Sequence, residues 1–342
     1  MNVRESVVGD SIVGKEGVVI FTNIQKLCYS DTEFNNNVIV KNMKTSLSTY
    51  IKHFILRVYD YVVFRPFIGN PRVANTEQTI KYIIRNKCSV SRFGDGEIDQ
   101  CWKVLNLPFQ KWNPTLSKRL REILFSKDRV KNHIVCIPYI YIDNSHLMPE
   151  VKKLWAAFTR RHKFSVLSKL PRVQYYDTQC TRCYIDYEDK SDCGHFFDLW
   201  KRVWNDENIV IVEGNRSRLG IGNDLFNNAK SIRRIIVPAE HCFDVYQEVL
   251  DSVMKYSSRK DLILLAAGPT ATVLAYDLAK QGYWAMDVGH IDVEYSWYKM
   301  GVSYKCPIPG KYVNEVNSRE VDNVLDEEYM KSIIHVIRNH DE

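Results

Sequence analysis

Short apolar runs that alternate with helical segments constrain the fold of this chain more than any other feature. Six runs read CSVSRF, HIVCIPYI, NIVIVEG, RRIIVP, DLILLAA and YWAMDVG, and a turn or a glycine follows each of the last four. Helical spacing is clearest in TEQTIKYIIRNK, with Thr76 as a candidate N-cap, and in PTLSKRLREILFS, with Pro114 near its start. Strands separated by helices indicate a mainly parallel sheet with helices on both faces, so we predict an α/β, Rossmann-like fold.

Residues 1–74 differ in composition from the alternating region that follows them. The stretch DTEFNNNVIV is polar and rich in asparagine, whereas YIKHFILRVYDYVVFRPFIG is aromatic but interrupted by charged side chains. The aromatic stretch predicts an amphipathic helix at residues 50–70, which either docks on the main domain or contacts a membrane surface or a partner. We therefore expect an N-terminal extension that is partly helical.

The charge balance favours some classes of partner over others. The 342 residues include 47 Lys and Arg against 41 Asp and Glu, a formal net charge of +6, and the basic residues are dispersed. Dispersed charge fits an anionic small molecule or an acidic membrane surface, whereas nucleic acid binding would require a basic stripe, so we expect no nucleic acid partner.

Hydropathy and cysteine usage indicate the compartment. No run of about 18 apolar residues occurs, so we expect no membrane-spanning helix, and the N-terminus lacks the pattern of a signal peptide. The nine cysteines are scattered, which is typical of reduced thiols. We expect a cytoplasmic protein, with contact at the inner face of the membrane left open.

The segment NRSRLGIGNDLF, which follows NIVIVEG, carries a candidate anion site. Ligands of parallel sheets bind beyond the carboxyl ends of the strands. Glycines let backbone amides approach an anion, and a helix after the segment would present its N-terminus. We expect the site to be lined by Arg218, Gly220, Gly222, Asn223 and Asp224, with Arg218 as the contact to a diphosphate. The spacing is not that of a dinucleotide-binding fingerprint, and a tight turn with solvated arginines is the alternative.

A second candidate turn follows DLILLAA. Gly268 and Pro269 shape it, Thr270 or Thr272 is a candidate helix cap, and Gly282 suits the end of that helix. The turn is either purely structural or a phosphate site at the same amides.

Acidic and imidazole side chains cluster after YWAMDV, in the segment GHIDVEYSWY. Along an extended stretch, alternation would place His290, Asp292 and Glu294 on one side. This combination suits a divalent metal or general base catalysis. We favour Asp292 as the base or as a second metal-site carboxylate, with His290 orienting the acceptor or the phosphates and Glu294 as a further candidate. The alternative is that Asp292 caps local backbone amides.

The segment SRFGDGEI places two carboxylates, Asp95 and Glu97, two residues apart beside Gly94 and Gly96, with Arg92 just upstream. We interpret it as a glycine-flexed loop. Mg²⁺ and Mn²⁺ are typically held by one or two protein carboxylates together with substrate phosphates. A cation held in this way would neutralise charge on a departing diphosphate.

Several segments resemble one known family in the same order along the chain. They are SVSRFGDGEID, FQ at 109–110, TRCYIDY, IVIVEGNRSRLGIGNDLF, SIRRIIVP, LILLAAGPTATVLAYDLAKQGYWAMDVGHIDVEY and KYVNE. The family is that of the GT-D-fold glycosyltransferases, a bacterial group first catalogued as a domain of unknown function. The resemblance covers residues 75–316, and we expect a C-terminal helical tail over 317–342.

The resemblance implies a GT-D type of Rossmann-like sheet, a nucleotide-sugar donor that is typically a UDP-sugar, and Mn²⁺ or Mg²⁺. It implies a D-x-E motif, here Asp95 and Glu97, and a glycan or glycoprotein acceptor in surface polysaccharide or glycoprotein synthesis. Thr181 and Arg182 match the family, whereas Cys183 replaces a proline that the family often has, which affects the expected shape of that loop.

Three alternatives stay open from the residues alone. The chain could be a catalytically silent module that binds nucleotide sugars, or a nicotinamide-dependent oxidoreductase. Cys180, Cys183, Cys193 and His195 are ligand types of a zinc site, but their spacing is shorter than in common zinc modules and the resemblance implies no zinc, so we expect ordinary thiols with zinc as the alternative.

Overall fold

The computed structural model describes residues 69–102, 106–316 and 326–339, without the side chains of 163 and 164. The predicted helix at 50–70 and nearly all of the predicted N-terminal extension lie outside the described residues. No helix in the described part of the chain has the length and apolar character needed to cross a bilayer.

A nine-stranded sheet forms the centre of the fold. Its strands are β1 Arg72–Val73, β2 Ser89–Arg92, β3 His133–Ile137, β4 Gln174–Asp177, β5 Asn208–Gly214, β6 Ser231–Val237, β7 Leu262–Ala266, β8 Trp284–Asp287 and β9 Ile333–Val336. Their order across the sheet is β1-β4-β3-β2-β8-β7-β5-β6-β9, and every neighbouring pair is parallel. The predicted α/β fold with a parallel sheet is confirmed.

Nine α-helices are described along the chain. They are α1 Thr76–Asn86, α2 Asp95–Cys101, α3 Pro114–Phe125, α4 Pro149–Leu167, α5 Cys193–Val203, α6 Tyr246–Tyr256, α7 Pro269–Lys280, α8 Ile291–Met300 and α9 Glu327–Ser332. Short 3₁₀ helices occupy Tyr139–Tyr141, Thr178–Thr181 and Cys242–Val245.

Both faces of the sheet are buried, which explains why its strands are continuous apolar runs. In β5, Ile209 and Ile211 belong to the core that includes Trp200 of α5. The alternate residue Val210 belongs to the core on the other face, with Leu274 of α7. Strands covered by helices on both faces need apolar side chains at successive positions, and each large apolar side chain that is fully buried contributes about 1.5–3 kcal/mol.

The start of α1 differs from the prediction. The N-cap is Asn75 rather than Thr76: its side chain accepts the Gln78 N–H at 2.9 Å, and Gln78 Oε1 accepts the Asn75 N–H at 3.1 Å. This reciprocal pair is a capping box. The hydroxyl of Thr76 instead donates to Asp177 Oδ2 at 2.7 Å, so a tertiary contact decided between two adjacent candidate caps.

The two ends of the domain also differ from the prediction. The sheet begins at Arg72, because β1 pairs with β4 just before residue 75. The predicted helical tail contains the six-residue helix α9, but strand β9 follows it and pairs with β6. The C-terminal segment is therefore part of the main sheet.

The strand order places one crevice at the carboxyl edge of the sheet. From β2 the chain moves outward to β3 and β4, whereas β8 is reached from the other half of the sheet through β7. Strands β2 and β8 are direct neighbours. The strand order reverses between them, and ligands of doubly wound sheets bind at such a point.

The buried imidazole of His133 predicts a loss of stability in acid. Burial lowers the pKa of His133 to about 3, and Ser91 Oγ lies 2.9 Å from its Nε2. The unfolded chain takes up this proton below pH 6.5 and the folded chain does not, so stability falls as pH decreases from 6.5. Between pH 7 and 5, we expect the unfolding free energy in urea to fall by about 2 kcal/mol more for the wild type than for His133→Gln.

An exposed side chain without an ionisable group, Thr115 on α3, provides the control. Thr115→Ala should retain the pH dependence of the wild type. Parallel pH dependences of the wild type and His133→Gln would contradict the role of His133.

Candidate active site

The ion pair between Arg92 and Asp287 occupies the crevice between β2 and β8. Arg92 Nε lies 3.3 Å from Asp287 Oδ1, and its Nη1 donates to the carbonyl of Thr178 at 2.9 Å and to the hydroxyl of Thr181 at 2.5 Å. Burial raises the pKa of Asp287, and the charge of Arg92 opposes the shift. A single guanidinium therefore connects the ends of β2, β4 and β8.

Gly289 is required by the close approach of this guanidinium. Its φ is +46°, and a Cβ at this position would lie 1.9 Å from Arg92 Nη2. The Gly289 N–H also donates to Asp287 Oδ1 at 3.1 Å. The glycine that follows YWAMDV thus accommodates Arg92, in addition to forming a turn.

Asp95 and Glu97 lie in the first turn of α2, so the prediction of a flexible loop was wrong. Gly94 is the N-cap, and Glu97 Oε2 accepts its N–H at 2.9 Å. Acidic side chains are stabilised at a helix N-terminus by the free N–H groups and the helix dipole. Asp95 is exposed and Glu97 is half-buried. Burial raises the pKa of Glu97 to about 7, the charge of Asp287 adds to the shift, and Arg92 opposes it.

The chemistry of this pair fits a divalent cation that takes further ligands from a substrate. In the described part of the chain, no group of three or more His, Cys, Asp or Glu side chains is arranged to hold a metal ion. Two carboxylates alone form an incomplete site, and Mg²⁺ usually binds one or two carboxylates plus substrate phosphates and water. A cation would also offset the cost of ionising the half-buried Glu97.

The candidate zinc ligands form no metal site in the described part of the chain, which agrees with the expectation of ordinary thiols. Cys180, Cys183 and Cys193 are buried thiols, whereas His195 lies at the surface with its Nε2 3.0 Å from Glu77 Oε1. Burial raises the pKa of Cys183, which favours its thiol form. Cys183 packs in the same core cluster as residues of α5.

A second charged network lies beside the crevice. Arg182 forms a bidentate pair with Glu315, at 2.5 and 3.2 Å, and Lys305 Nζ lies 2.9 Å from Glu315 Oε2. These cations hold the pKa of Glu315 well below its usual range. His290 Nε2 lies 3.9 Å from Glu315 Oε1.

His290 is neutral at neutral pH. Burial lowers its pKa to about 4, and the nearby guanidinium groups of Arg182 and Arg92 add to the shift while Glu315 opposes it. About 30% of its side chain is exposed, so the ring can reach a bound molecule.

The predicted extended stretch at 290–294 is instead the start of a helix. His290 is the N-cap of α8, and Asp292 and Glu294 lie in its first turn. Residues two apart on a helix point in different directions, so Asp292 does not share a side with His290 and Glu294, which are four residues apart. Glu294 is fully buried and accepts the N–H groups of Tyr184 and Ile185 at 3.1 and 2.9 Å.

Both oxygens of Asp292 are already in use. Oδ1 accepts the Gly220 N–H and Asn223 Nδ2, each at 2.8 Å, and Oδ2 pairs with the buried Lys311 at 2.5 Å. The predicted alternative was a cap on local backbone amides. Asp292 does accept an amide, but the amide belongs to a loop distant in the chain.

The loop at residues 215–224, named the donor loop after the role proposed for it, forms no helix or strand. The helix predicted to follow this loop is absent, since residues 215–230 contain no helical segment. Arg218 is buried with φ +48° and donates to the Gly310 carbonyl at 3.0 Å, whereas Arg216 is the exposed arginine of this loop. Gly220 has φ +78°, and a Cβ on it would lie 2.6 Å from the Phe226 ring.

The far end of the donor loop is also anchored. Asp224 accepts Lys201 Nζ at 2.6 Å and the Tyr295 hydroxyl at 2.9 Å, contacts that hold the pKa of Asp224 below its usual range. Asn223 Nδ2 donates to Ser296 Oγ at 3.0 Å as well as to Asp292. Gly222 has φ +75° with open space around it.

The turn before α7 has no side-chain cap. Gly268 is the N-cap with φ +56° and Pro269 is the first helical residue, so neither Thr270 nor Thr272 caps the helix. A Cβ on Gly268 would lie 2.8 Å from the ring of Phe109.

The two threonines of this turn have tertiary environments instead. Thr270 is buried, and the Thr272 hydroxyl bonds to the Arg92 carbonyl and to Asp287 Oδ2, each at 3.0 Å. Gly282 follows the C-cap with φ +82°, as predicted.

The sequence interpretation missed Glu213, Arg234, Lys311 and Glu315, which all lie in this region. Glu213 Oε2 accepts the Leu219 N–H at 2.6 Å, and its Oε1 pairs with Arg234. For Glu213 and Arg234 the available signal was a charged side chain inside or next to an apolar run, as in NIVIVEG and RRIIVP, and for Lys311 and Glu315 it was the segment KYVNE. A buried charge in such a strand requires a partner, although its sequence position does not identify that partner.

We expect Gly289→Ala to be more harmful than Gly301→Ala. Both glycines have positive φ, but Gly301 has no atoms within 4 Å of an added Cβ, whereas Gly289 meets Arg92. Gly301→Ala should therefore cost about 1 kcal/mol of backbone strain, and Gly289→Ala about 1–3 kcal/mol more from displacement of Arg92. Urea unfolding checks this difference, and equal losses in the two variants would contradict it.

Comparison with known proteins connects this geometry to a family. The chain is 35% identical over 263 residues to the probable glycosyl transferase Gly of Streptococcus gordonii, covering 77% of this chain and 38% of that protein. It is 35% identical over 269 residues to the glycosyltransferase GlyD of Streptococcus pneumoniae serotype 4 (strain ATCC BAA-334 / TIGR4), covering 78% and 33% respectively. The chain thus spans less than two fifths of either curated relative.

Solved structures agree with this result. A domain of unknown function 1792, described as having a distinct glycosyltransferase fold, is 35% identical with a TM-score of 0.75, covering 80% of this chain and 97% of that chain. A glycosyltransferase (DUF1792) from Streptococcus sanguinis is 34% identical with a TM-score of 0.74, covering 78% and 99%. The family described as Glycosyltransferase GT-D fold matches residues 90–316. The chain belongs to the GT-D-fold family of glycosyltransferases.

Proposed function

We propose that this chain transfers a sugar from a nucleotide-diphosphate sugar, with a UDP-sugar as the expected donor, to a glycan or glycoprotein acceptor of the bacterial surface. Family membership supports the reaction class. The observation that carries the proposal is that Glu97 interacts electrostatically with the Arg92–Asp287 pair at the point where the strand order reverses, with Asp95 in the same helical turn.

We assign a divalent cation, Mn²⁺ or Mg²⁺, to Asp95 and Glu97. Glu97 Oε2 is bound by the Gly94 N–H, so we assign Oε1 to the cation, together with the exposed carboxylate of Asp95. When bound, such a cation neutralises the negative charge that develops on a departing diphosphate.

The donor loop and the turn at Gly268 are the proposed walls of the donor site. Gly268 is exposed at the N-terminus of α7, with the ring of Phe109 beside it, and we assign this helix terminus to an anion of the donor. Arg216 is the exposed cation of the donor loop, whereas Arg218 is buried against the Gly310 carbonyl. The contacts therefore favour a structural role for Arg218 and leave Arg216 as the candidate for a diphosphate contact.

A transfer that inverts the anomeric configuration requires a base. The sequence favours Asp292, but both its oxygens are occupied and it is almost fully buried. We therefore assign the role of the base, which takes the proton of the acceptor hydroxyl, to His290. Its imidazole is neutral at pH 7 and partly exposed. The acceptor oxygen forms a bond to the anomeric carbon, the bond from that carbon to the diphosphate breaks, and the acceptor proton moves to the imidazole. Asp292 then has the role of holding Gly220 and Asn223.

Replacement of the α2 carboxylates tests the reaction and its cation together. Asp95→Asn and Glu97→Gln should each lower the release of nucleoside diphosphate from the donor by roughly 10²-fold or more, because the charge on the leaving group loses its counter-ion. A panel of nucleotide sugars with Mn²⁺ and an acceptor mixture, with and without chelator, provides the measurement. Glu122→Gln, a change to an exposed carboxylate on α3, is the matched control.

Wild-type turnover in excess chelator would refute the cation assignment. Donor binding without turnover across the panel would instead indicate a module that binds nucleotide sugars without catalysis.

His290 and Asp292 should give different kinetic defects. His290→Gln removes the base, so kcat should fall by roughly 10²-fold with donor affinity close to that of the wild type. Asp292→Asn weakens the anchor of the donor loop, so donor affinity and thermal stability should fall together.

The pH profile of kcat/KM provides an independent check. Saturating Mn²⁺ keeps Glu97 ionised against the burial that raises its pKa to about 7, so under that condition only His290 sets the acid limit. Since His290 acts in its neutral form, activity with saturating Mn²⁺ should be retained as pH falls from 7 to about 5 and be lost near its pKa of about 4. Full kcat in His290→Gln would contradict the assignment.

A further inference from the structure

We infer that the C-terminal segment at 326–339 positions the donor loop through the buried guanidinium of Arg234. The segment lies beyond the family match, which ends at residue 316. The inference rests on the proposed function only in taking residues 215–224 to face the donor.

Arg234 lies on β6 and contacts both elements. Its Nη1 pairs with Glu213 Oε1 at 2.5 Å, and its Nη2 donates to the Leu219 carbonyl at 2.8 Å. Its Nε donates to Ser332 Oγ at 3.1 Å. Only 3% of Arg234 is exposed. Each edge of the planar guanidinium therefore has an assigned partner, two on the side of the donor loop and one on the C-terminal segment.

The donor loop is held at consecutive backbone groups. Glu213 Oε2 accepts the Leu219 N–H, and Arg234 Nη2 donates to the Leu219 carbonyl. Asp292 Oδ1 accepts the Gly220 N–H. The residues on either side of Leu219 both have positive φ, +48° at Arg218 and +78° at Gly220. A non-glycine residue in this region is strained and persists only where its surroundings enforce it. Arg234 and Glu213 are the side chains that enforce it at Leu219.

The C-terminal segment supplies the other half of the Arg234 environment. The Tyr329 ring stacks on the guanidinium, with Cζ 4.9 Å from the ring centroid, and the tyrosine is buried. Ser332 Oγ donates to the Tyr329 carbonyl at 2.6 Å, which fixes its hydroxyl next to Arg234 Nε. Strand β9 begins at the register position opposite Arg234, where Ile333 pairs with it.

Loss of these contacts changes what the guanidinium can do. The stacked ring and Ser332 exclude water from one face and one edge of Arg234 and restrict its rotation. Without them the side chain can turn toward solvent, and the Leu219 carbonyl and Glu213 would each lose a charged partner. The donor loop would then sample other conformations, and donor binding would require it to be ordered again. Arg234, Tyr329 and Ser332 are thus positioning residues for the donor.

The double variant Tyr329→Leu/Ser332→Ala tests the inference. It retains an apolar side chain at 329 but removes the stacked ring and the hydroxyl. Met330→Ala, an exposed position in the same helix, is the matched control. Two readouts are measured in the full chain: amide hydrogen exchange at Leu219 and Gly220, and the donor kinetics with Mn²⁺.

In the double variant, exchange at these two amides should rise about tenfold or more, while exchange in β3 stays at the wild-type rate. The donor KM should rise by about tenfold with kcat within about twofold, since anchoring of the loop affects binding more than chemistry. Met330→Ala should resemble the wild type in both readouts. Unchanged exchange at Leu219 and Gly220, or a fall in kcat with no change in KM, would overturn the inference.

The variant Arg234→Lys provides a second test of the inference. The lysine ammonium retains the charge but cannot bridge Glu213, Leu219 and Ser332. Its exchange at Leu219 should rise as in the double variant, and wild-type exchange would overturn the inference. Failure of the proposed function would be seen separately, as absence of UDP binding by the wild type in a calorimetric titration with Mn²⁺. The exchange readout does not depend on that titration.

Discussion

The largely buried pair of Arg92 and Asp287 is the interaction on which the carboxyl edge of the sheet depends. Strands β2 and β8 are neighbours in the sheet, but their residues are nearly 200 positions apart in the chain. The guanidinium of Arg92 also reaches Thr178 and Thr181 beyond β4, so it sets the distances among three strand ends. Removal of either partner would leave an uncompensated buried charge, which is among the most destabilising changes in a protein interior. Gly289 and Thr272 both take their positions from this pair.

Buried or half-buried ion pairs perform a similar task at each loop around the crevice. Glu213 with Arg234 and Asp292 with Lys311 hold the donor loop, and Arg182 with Glu315 lies beside His290. In each case a carboxylate or guanidinium also binds a backbone group or a second charged side chain, so desolvation is offset by several contacts. Loops held in this way keep unusual backbone conformations, such as those at Arg218 and Gly220, and present a defined surface to a ligand.

The α/β class and most elements follow from local sequence patterns, whereas the starts of several helices do not. The short helix α2 gives little periodic signal, and its cap combines Gly94 with Glu97 rather than a serine or threonine with a glutamate, so SRFGDGEI reads as a loop. The segment GHIDVEYSWY is compatible with either a strand or a helix. It forms a helix in which Tyr295 and Trp297 both pack in the core. The donor loop reads as a strand-to-helix turn, but its polar groups bind distant side chains instead.

The sequence by itself determined the parallel sheet, the positions of the loops at its carboxyl edge and the family, because apolar periodicity and motif order are local properties of the chain. The tertiary structure alone decided which charges are partners. Asp292 has Lys311 and the donor loop as its contacts, and His290 is left neutral and partly exposed beside Glu315. It also decided that the C-terminal segment joins the sheet next to Arg234. These outcomes depend on which distant residues meet when the strands are ordered, and a buried charge must find its partner among them, wherever that partner lies in the chain.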